Sequence, residues 1–301
     1  MSKAQRNREQ HARAKIVAQQ MAARRAETRR RALIVSGSVV VVLAVVVAFI
    51  IVKSLNHATP AQAASDARTT NVTVAQQITS VPASVLDSVG AGPTGTSAVS
   101  PLTTISTAPL TRNGKPEMLY VGAEYCPYCA AERWAMAVAL SRFGTLSNLH
   151  FIRSTSTDTY SNTSTLTFYK SSYVSKYVAF HPVEWYTVTN KLLQVPSAAE
   201  QALLSKYGQG SFPFVDIDGK YIVSGAQYLP TVLGSLAAEN PTHFGLTWAT
   251  IAKDLQSASN PVAQAILGAA NHITAAICKV TNDQPSTVCN SAAVTAVGGS
   301  I

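Results

Sequence analysis

The sequence predicts an α/β domain carried outside a membrane on a single transmembrane helix. Three observations lead there: an uncharged apolar run over residues 32–52, a strand followed by Cys-x-x-Cys and a helix within 118–142, and two apolar runs that meet at Asp218-Gly219. With 47% hydrophobic and 13% charged residues over 301 positions, a disordered polyelectrolyte is excluded. Four cysteines are too few for a small disulfide scaffold, and their pairing as Cys126/Cys129 and Cys278/Cys289 makes sulfur chemistry the first lead.

The net charge of +9 belongs to one end of the chain. Residues 1–31 hold ten Lys/Arg and two Glu, leaving fourteen basic and thirteen acidic side chains for the remainder. No basic groove for nucleic acid is therefore expected on the folded part. The basic tail either lies as a helix on anionic headgroups or stays solvated as a topology signal. The next 21 residues, Ala32 to Val52, carry no charge. At about 1.5 Å per residue such a helix spans the ~30 Å of a lipid bilayer core. Arg24, Arg25, Arg29, Arg30 and Arg31 precede this run and only Lys53 follows closely, which puts the N-terminus in the cytoplasm. An uncleaved anchor is expected, with late processing at Ala61-Gln62-Ala63 as the alternative. Everything beyond then lies in an exterior compartment where disulfides persist.

Residues 53–108 are rich in Ala, Ser, Thr and Pro and read as a spacer, with a short helix over Val81–Val89 that docks on the domain. The run Gly90-Ala91-Gly92-Pro93-Thr94-Gly95 matches G-x-G-x-x-G. It lacks the preceding strand and following helix that a dinucleotide site requires, so the match is accidental and no cofactor is expected. The domain proper is placed at 109–290 and a C-terminal tail at 291–301. Asn71-Val72-Thr73 and Asn162-Thr163-Ser164 fit the glycosylation pattern, which also arises by chance.

Within the domain, Met118–Ala123 is a strand-like apolar run and Ala130–Arg142 a helix with one apolar face. Leu149–Ser154 and Leu166–Tyr169 read as strands around a Ser/Thr-rich loop, and the aromatic stretch Ser171–Leu193 reads as an insertion packed near the site. Ser197 caps a helix running to Tyr207. Phe212–Ile217 and Lys220–Val223 flank Asp218-Gly219, a strong hairpin signal. Helical patterns follow at Thr231–Ala238, Thr247–Ser257 and Pro261–Val280.

The chemistry centres on Cys126-Pro127-Tyr128-Cys129. A thiol attacks a disulfide only as the thiolate, and a helix N-terminus stabilises that anion through unpaired N–H groups and the helix dipole. Pro127 suits the first helical position because it has no N–H to leave unsatisfied. Cys126 is thus the expected nucleophile. Cys129, one turn on, is the thiol that resolves a mixed disulfide. No metal is expected: a closed zinc site needs four ligands, and Cys278 and Cys289 are too widely spaced to complete one. Haem attachment would need His where Ala130 stands. His150, His181, His243 and His272 are read as surface or core residues. A Cys278–Cys289 disulfide would close a short loop and stabilise by about 3 kcal/mol; a second redox pair is the alternative.

The order strand, Cys-x-x-Cys, helix, later strands, hairpin and final helix resembles the thioredoxin-like fold, here with helical and aromatic-rich insertions. The stretch Gly122–Trp134 together with Phe212-Pro213-Phe214-Val215-Asp216-Ile217 is similar to a family of membrane-anchored proteins known as domain of unknown function 929, over about residues 80–290. The thioredoxin-like resemblance implies that Pro213 is a cis-proline opposite the Cys-x-x-Cys and that the backbone of Phe212 pairs with an extended substrate. It also implies a buried acid in the strand before the motif, which Met118–Ala123 lacks. Glu124 is the nearest candidate, either as a proton relay for Cys129 or as a solvated loop charge. The resulting expectation is an extracytoplasmic thiol-disulfide oxidoreductase that oxidises cysteines of exported proteins and is recharged by a quinone-linked membrane partner. A non-catalytic envelope binding module, using the aromatic stretch for recognition and the dithiol as a structural disulfide, is the competing expectation.

Overall fold

The computed structural model describes residues 70–94 and 99–298. The basic tail, the apolar run 32–52 and the spacer up to residue 69 lie outside these residues, as does Gly95. Two helices come first, α1 (Val72–Thr79) and α2 (Ala83–Val89). The short strands β1 (Thr103–Thr104) and β2 (Thr111–Arg112) precede β3 (Lys115–Gly122), which leads into α3 (Pro127–Ser141). Then follow β4 (Gly144–Ser147), β5 (His150–Arg153), β6 (Ser164–Thr167), β7 (Ser172–Ser175) and β8 (Ala179–Glu184). The remaining elements are α4 (Ala198–Tyr207), the hairpin β9 (Phe214–Ile217) and β10 (Tyr221–Ser224), α5 (Trp248–Asp254), α6 (Pro261–Val280), α7 (Ser286–Cys289) and α8 (Ala292–Val297).

The main sheet runs β1-β10-β9-β3-β2, with β8 on the other side of β3. β8 is parallel to β3, pairing Tyr120 with Pro182 and Gly122 with Glu184, whereas β9 is antiparallel to β3 and β10 to β9. Alternation along β3 sends Met118 and Tyr120 into a core shared with α3 and α6, and Leu119 and Val121 into a second core with Leu204 of α4. Burial on both faces explains why β3 reads as a continuous apolar run rather than an alternating one. Gly122 is required beside Tyr120, because a Cβ there would stand 2.1 Å from the tyrosine hydroxyl.

The hairpin follows the sequence signal closely. Asp218 and Gly219 both take positive φ (56° and 68°), and Gly219 N–H donates to the Asp216 carboxylate at 2.7 Å. Helix α4 opens with a capping box between Ser197 and Glu200, and α6 begins and ends where its apolar pattern does. Among the described residues α6 is the helix long and apolar enough to cross a membrane, but most of it is buried inside the fold.

Several expectations are corrected. The aromatic stretch Ser171–Leu193 is no insertion, since it contains β8, the parallel partner of the central strand. His181-Pro182 disguises it, because proline cannot donate within a ladder. Trp185 N–H donates to Gly122 of β3 while Glu184 N–H turns outward to the Gln194 side chain. Pro182 shares the parity of Glu184, so its missing donor falls on the outer edge. The region placed in a spacer up to 108 is structured from α1 onward: Val74, Ile78 and Leu86 are buried, and β1 pairs with β10. Residues 291–298 are no loose tail either, because α8 buries Ala293, Val294 and Val297. The expected helix Thr231–Ala238 shrinks to a 3-10 turn at Pro230–Leu233, stopped by Gly234 at φ +76°.

The glycine run after α2 does structural work. Gly90 caps that helix, and Gly92 crosses α6 so closely that a Cβ on Gly268 would lie 2.6 Å from the Gly92 Cα. Asn162 is buried, its amide donating to the carbonyls of Pro241 and His243, which leaves no room for a glycan on the folded chain.

Cys278, at the end of α6, is joined by a disulfide to Cys289, at the end of α7. Both sulfurs belong to the core, as a staple requires. Replacing both cysteines with alanine is expected to cost about 3 kcal/mol, read as a lower denaturant midpoint with unchanged reactivity of Cys126. Altered Cys126 reactivity would favour the second-redox-pair alternative.

Candidate active site

β3 ends at Gly122, and the chain turns immediately. Cys126 N–H donates to the Ala123 carbonyl at 3.2 Å, and α3 starts at Pro127. Cys126 is the N-cap of α3: its extended backbone lets the sulfur accept the N–H of Cys129 at 3.2 Å. The helix therefore presents an unpaired donor to the sulfur where the dipole is positive. Both cysteines are free thiols. Both are buried, but Cys126 keeps 6% of its surface and Cys129 none, so Cys126 is the less enclosed of the two.

Phe212 and Pro213 approach from the start of β9. The bond between them is cis, as the resemblance implies, and the Phe212 carbonyl lies 3.9 Å from the Cys126 sulfur. Aromatic side chains surround the dithiol. Tyr125, Tyr186 and Phe212 pack on the two cysteines, Trp185 stacks on Tyr186, and Tyr128 meets Tyr160 edge to face. The aromatic residues expected near the site are thus partly there, carried on the strand end of β8 rather than on an insertion.

Glu124 is buried, which removes the solvated-charge reading. Its carboxylate accepts the Thr167 hydroxyl at 2.8 Å, and its N–H donates to the Tyr186 carbonyl. The same hydroxyl lies 3.5 Å from the carboxylate of Glu184, which holds a residue the sequence reading passed over. Arg133, four residues after Cys129 on α3, is fully buried and clasps Glu184 of β8 through two bonds of 2.8 and 2.7 Å. Its Nη2 also donates to the Ala123 carbonyl at 2.7 Å, while Nη1 has no hydrogen-bond partner among the described residues.

These surroundings separate the two thiols. For Cys126, burial opposes ionisation. Hydrogen bonds from the thiol and N–H of Cys129 and from the Tyr128 N–H, together with the positive charge of Arg133, outweigh burial and hold its pKa below the ordinary thiol value. Cys129 goes the other way. Burial, the bond it gives to Cys126 and the charge there keep its proton on, against the pull of Arg133. A thiolate at Cys126 with a thiol beneath it is the pairing that exchanges with a disulfide brought against it.

Comparison with known families is informative at this point. The sequence pattern of a family described as Domain of unknown function (DUF929) matches residues 101–279, more than half of the chain. The chain belongs to the DUF929 family. The matched region holds the dithiol, Arg133, Glu184 and Phe212-Pro213, and it stops between Cys278 and Cys289 of the staple. No curated protein and no solved structure matches the chain.

A second buried acid of this DUF929 chain also escaped the sequence reading. Glu132 on α3 is fully buried; its Oε2 accepts the Gln227 N–H at 2.9 Å, and its Oε1 has no partner among the described residues. Burial, partly offset by the Gln227 bond, pushes its pKa from 4.5 up to about 7. A folded-state pKa above the unfolded one means stability is fully present below about pH 4.5 and lost as pH rises through about 7. Glu132→Gln is therefore expected to stabilise the protein by about 3 kcal/mol at pH 8, with the gain vanishing toward acid pH. Denaturant unfolding at several pH values checks this, and a gain that does not depend on pH would refute the assignment.

Proposed function

We propose that the chain is a thioredoxin-like thiol-disulfide oxidoreductase, anchored by residues 32–52 with its domain outside the membrane, that oxidises cysteines of exported proteins. The observation that carries this reading is the asymmetry of the dithiol: an outer, nearly buried Cys126 with a lowered pKa at a helix N-terminus above a fully buried, protonated Cys129. The strand order β8-β3-β9-β10, parallel only between β8 and β3, supports the fold, as does the approach of Phe212 to Cys126.

In the oxidising direction a substrate thiolate attacks Cys126 of the Cys126–Cys129 disulfide. A substrate-to-Cys126 bond forms, the intramolecular bond breaks, and Cys129 leaves with the electron pair and takes up a proton. The second substrate thiolate then attacks the substrate sulfur of the mixed disulfide, and Cys126 leaves as thiolate. Two electrons have moved from substrate to enzyme, to be passed to a membrane partner, for which a quinone-linked oxidoreductase fits the chemistry. Glu124 is assigned as the acid-base group that serves Cys129, and the Phe212 backbone as the docking edge for an extended substrate.

The small exposure of Cys126, 6%, favours the second reading, a binding module whose aromatic collar seals an inert dithiol. Equilibrating the full chain with mixtures of reduced and oxidised glutathione decides between them. A single reversible transition that alkylation assigns to Cys126 and Cys129 is expected. A pair that stays wholly disulfide or wholly reduced across every mixture, in a folded protein, would favour the binding module.

A further inference from the structure

Beneath the dithiol lies a charge arrangement that the exchange steps above do not use. Arg133 has no exposed surface, its guanidinium bonds to Glu184 and to the Ala123 carbonyl, and Ala123 packs directly on both cysteines. The remaining arm, Nη1, is buried with no hydrogen-bond partner among the described residues, and the Tyr120 hydroxyl of β3 is likewise without one among them. Arg133 and Cys129, four apart on α3, share one helix face. A buried cation with an unsatisfied N–H is costly unless an anion forms within its reach.

We infer that the Arg133–Glu184 pair sets the electron affinity of the dithiol: Arg133 favours the anion that forms on Cys126 when the disulfide is reduced, and Glu184 limits how far. The inference rests on the oxidoreductase reading and supplies its direction. A couple whose reduced form is stabilised gives up its disulfide readily and is an oxidant. Arg133 acts here as a positioning and tuning residue, since the sulfur chemistry belongs to the cysteines. The other ionisable groups about the dithiol include Tyr120 from β3, Glu124 and Tyr125 from the turn, Tyr128 from α3, Asp158 after β5, Glu184 from β8 and Tyr186 after it, all acids or phenols. Arg133 is the cation acting on both sulfurs.

The experiment uses two variants of the full chain that push in opposite directions. Arg133→Met combined with Glu184→Gln removes both charges and leaves an acceptor for the Phe168 N–H that Glu184 now holds. Glu184→Gln alone leaves the cation unopposed. Thiolate absorbance against pH and the glutathione equilibrium are measured on each. The double variant is expected to raise the Cys126 midpoint by about one pH unit and to shift the equilibrium about tenfold toward the disulfide, which is ~30 mV. Glu184→Gln is expected to move both quantities the other way, and Arg133→Lys to stay near the native values. Packing damage would not reverse sign between variants. Unchanged values, or shifts in one common direction, overturn the inference while exchange itself persists. If the double variant does not fold, the sign of the Glu184→Gln shift decides alone. A native dithiol that never exchanges overturns the oxidoreductase reading, and this inference with it.

Discussion

Cys126→Ser is expected to abolish disulfide exchange, and Cys129→Ser to trap an oxidised model protein on Cys126, whose thiolate attacks the substrate disulfide and releases one substrate thiolate. The two variants differ because the two sulfurs do. Cys126 is the less enclosed of the two sulfur residues and has the lowered pKa, so its loss removes the thiol that an approaching disulfide meets first. Serine is a preferred N-cap and can accept the residue-129 N–H as the sulfur does, so α3 keeps its first turn and the variant stays folded. Cys129 is buried at the position from which a mixed disulfide is resolved, and without it the adduct at Cys126 has no internal attacker. The measurement is a non-reducing gel after mixing with an oxidised substrate: no adduct for Cys126→Ser, an accumulating one for Cys129→Ser. Transfer that survives Cys126→Ser would place the chemistry elsewhere.

The largest stability effect is expected from Arg133→Met alone. Methionine fills much of the arginine volume, but Glu184 would then keep its charge in the interior with only Phe168 N–H and the Thr167 hydroxyl nearby. Breaking a buried pair from one side costs about 3–5 kcal/mol, whereas neutralising both partners is often close to neutral. A drop on the order of 10 °C in Tm is therefore expected for the single variant, with most of it recovered when Glu184→Gln is added. Thermal unfolding of the two variants side by side checks this. A single variant within about 1 kcal/mol of the native chain would mean that water reaches the pair and screens it.

How much of this was legible beforehand follows from which signals are local. The Cys-x-x-Cys on a helix N-cap, the Asp218-Gly219 hairpin and the bounds of α6 are written in adjacent residues, and sequence reading found them. The register of β8 against β3 is not local: it joins residues some sixty positions apart, and Pro182 argues against a strand unless one knows that its missing N–H faces outward. Arg133 was hidden for a related reason. On a helix an arginine ordinarily reads as solvated, and only Glu184, arriving with β8, turns it into half of a buried pair. Having missed the strand, sequence reading had no partner for the charge. Glu124 shows the converse, since its place beside the motif was plain but its burial depended on Thr167 across the fold. α1 was read as spacer because its buried face is small, Val74 and Ile78, whereas α2 was expected as a short docking helix and buries Leu86.

The proline in β8 bears on how many copies of this domain can stand side by side. An open strand border invites pairing with another chain, and proteins blunt such borders with proline, brevity or a covering loop. Here the β8 side carries Pro182 and is overlaid by the segment bonded back to Glu184 and Trp185, while the opposite side ends in the two-residue β1. Molecules gathered at high local density are thus denied the ladder by which they would otherwise polymerise, and can crowd together as separate units.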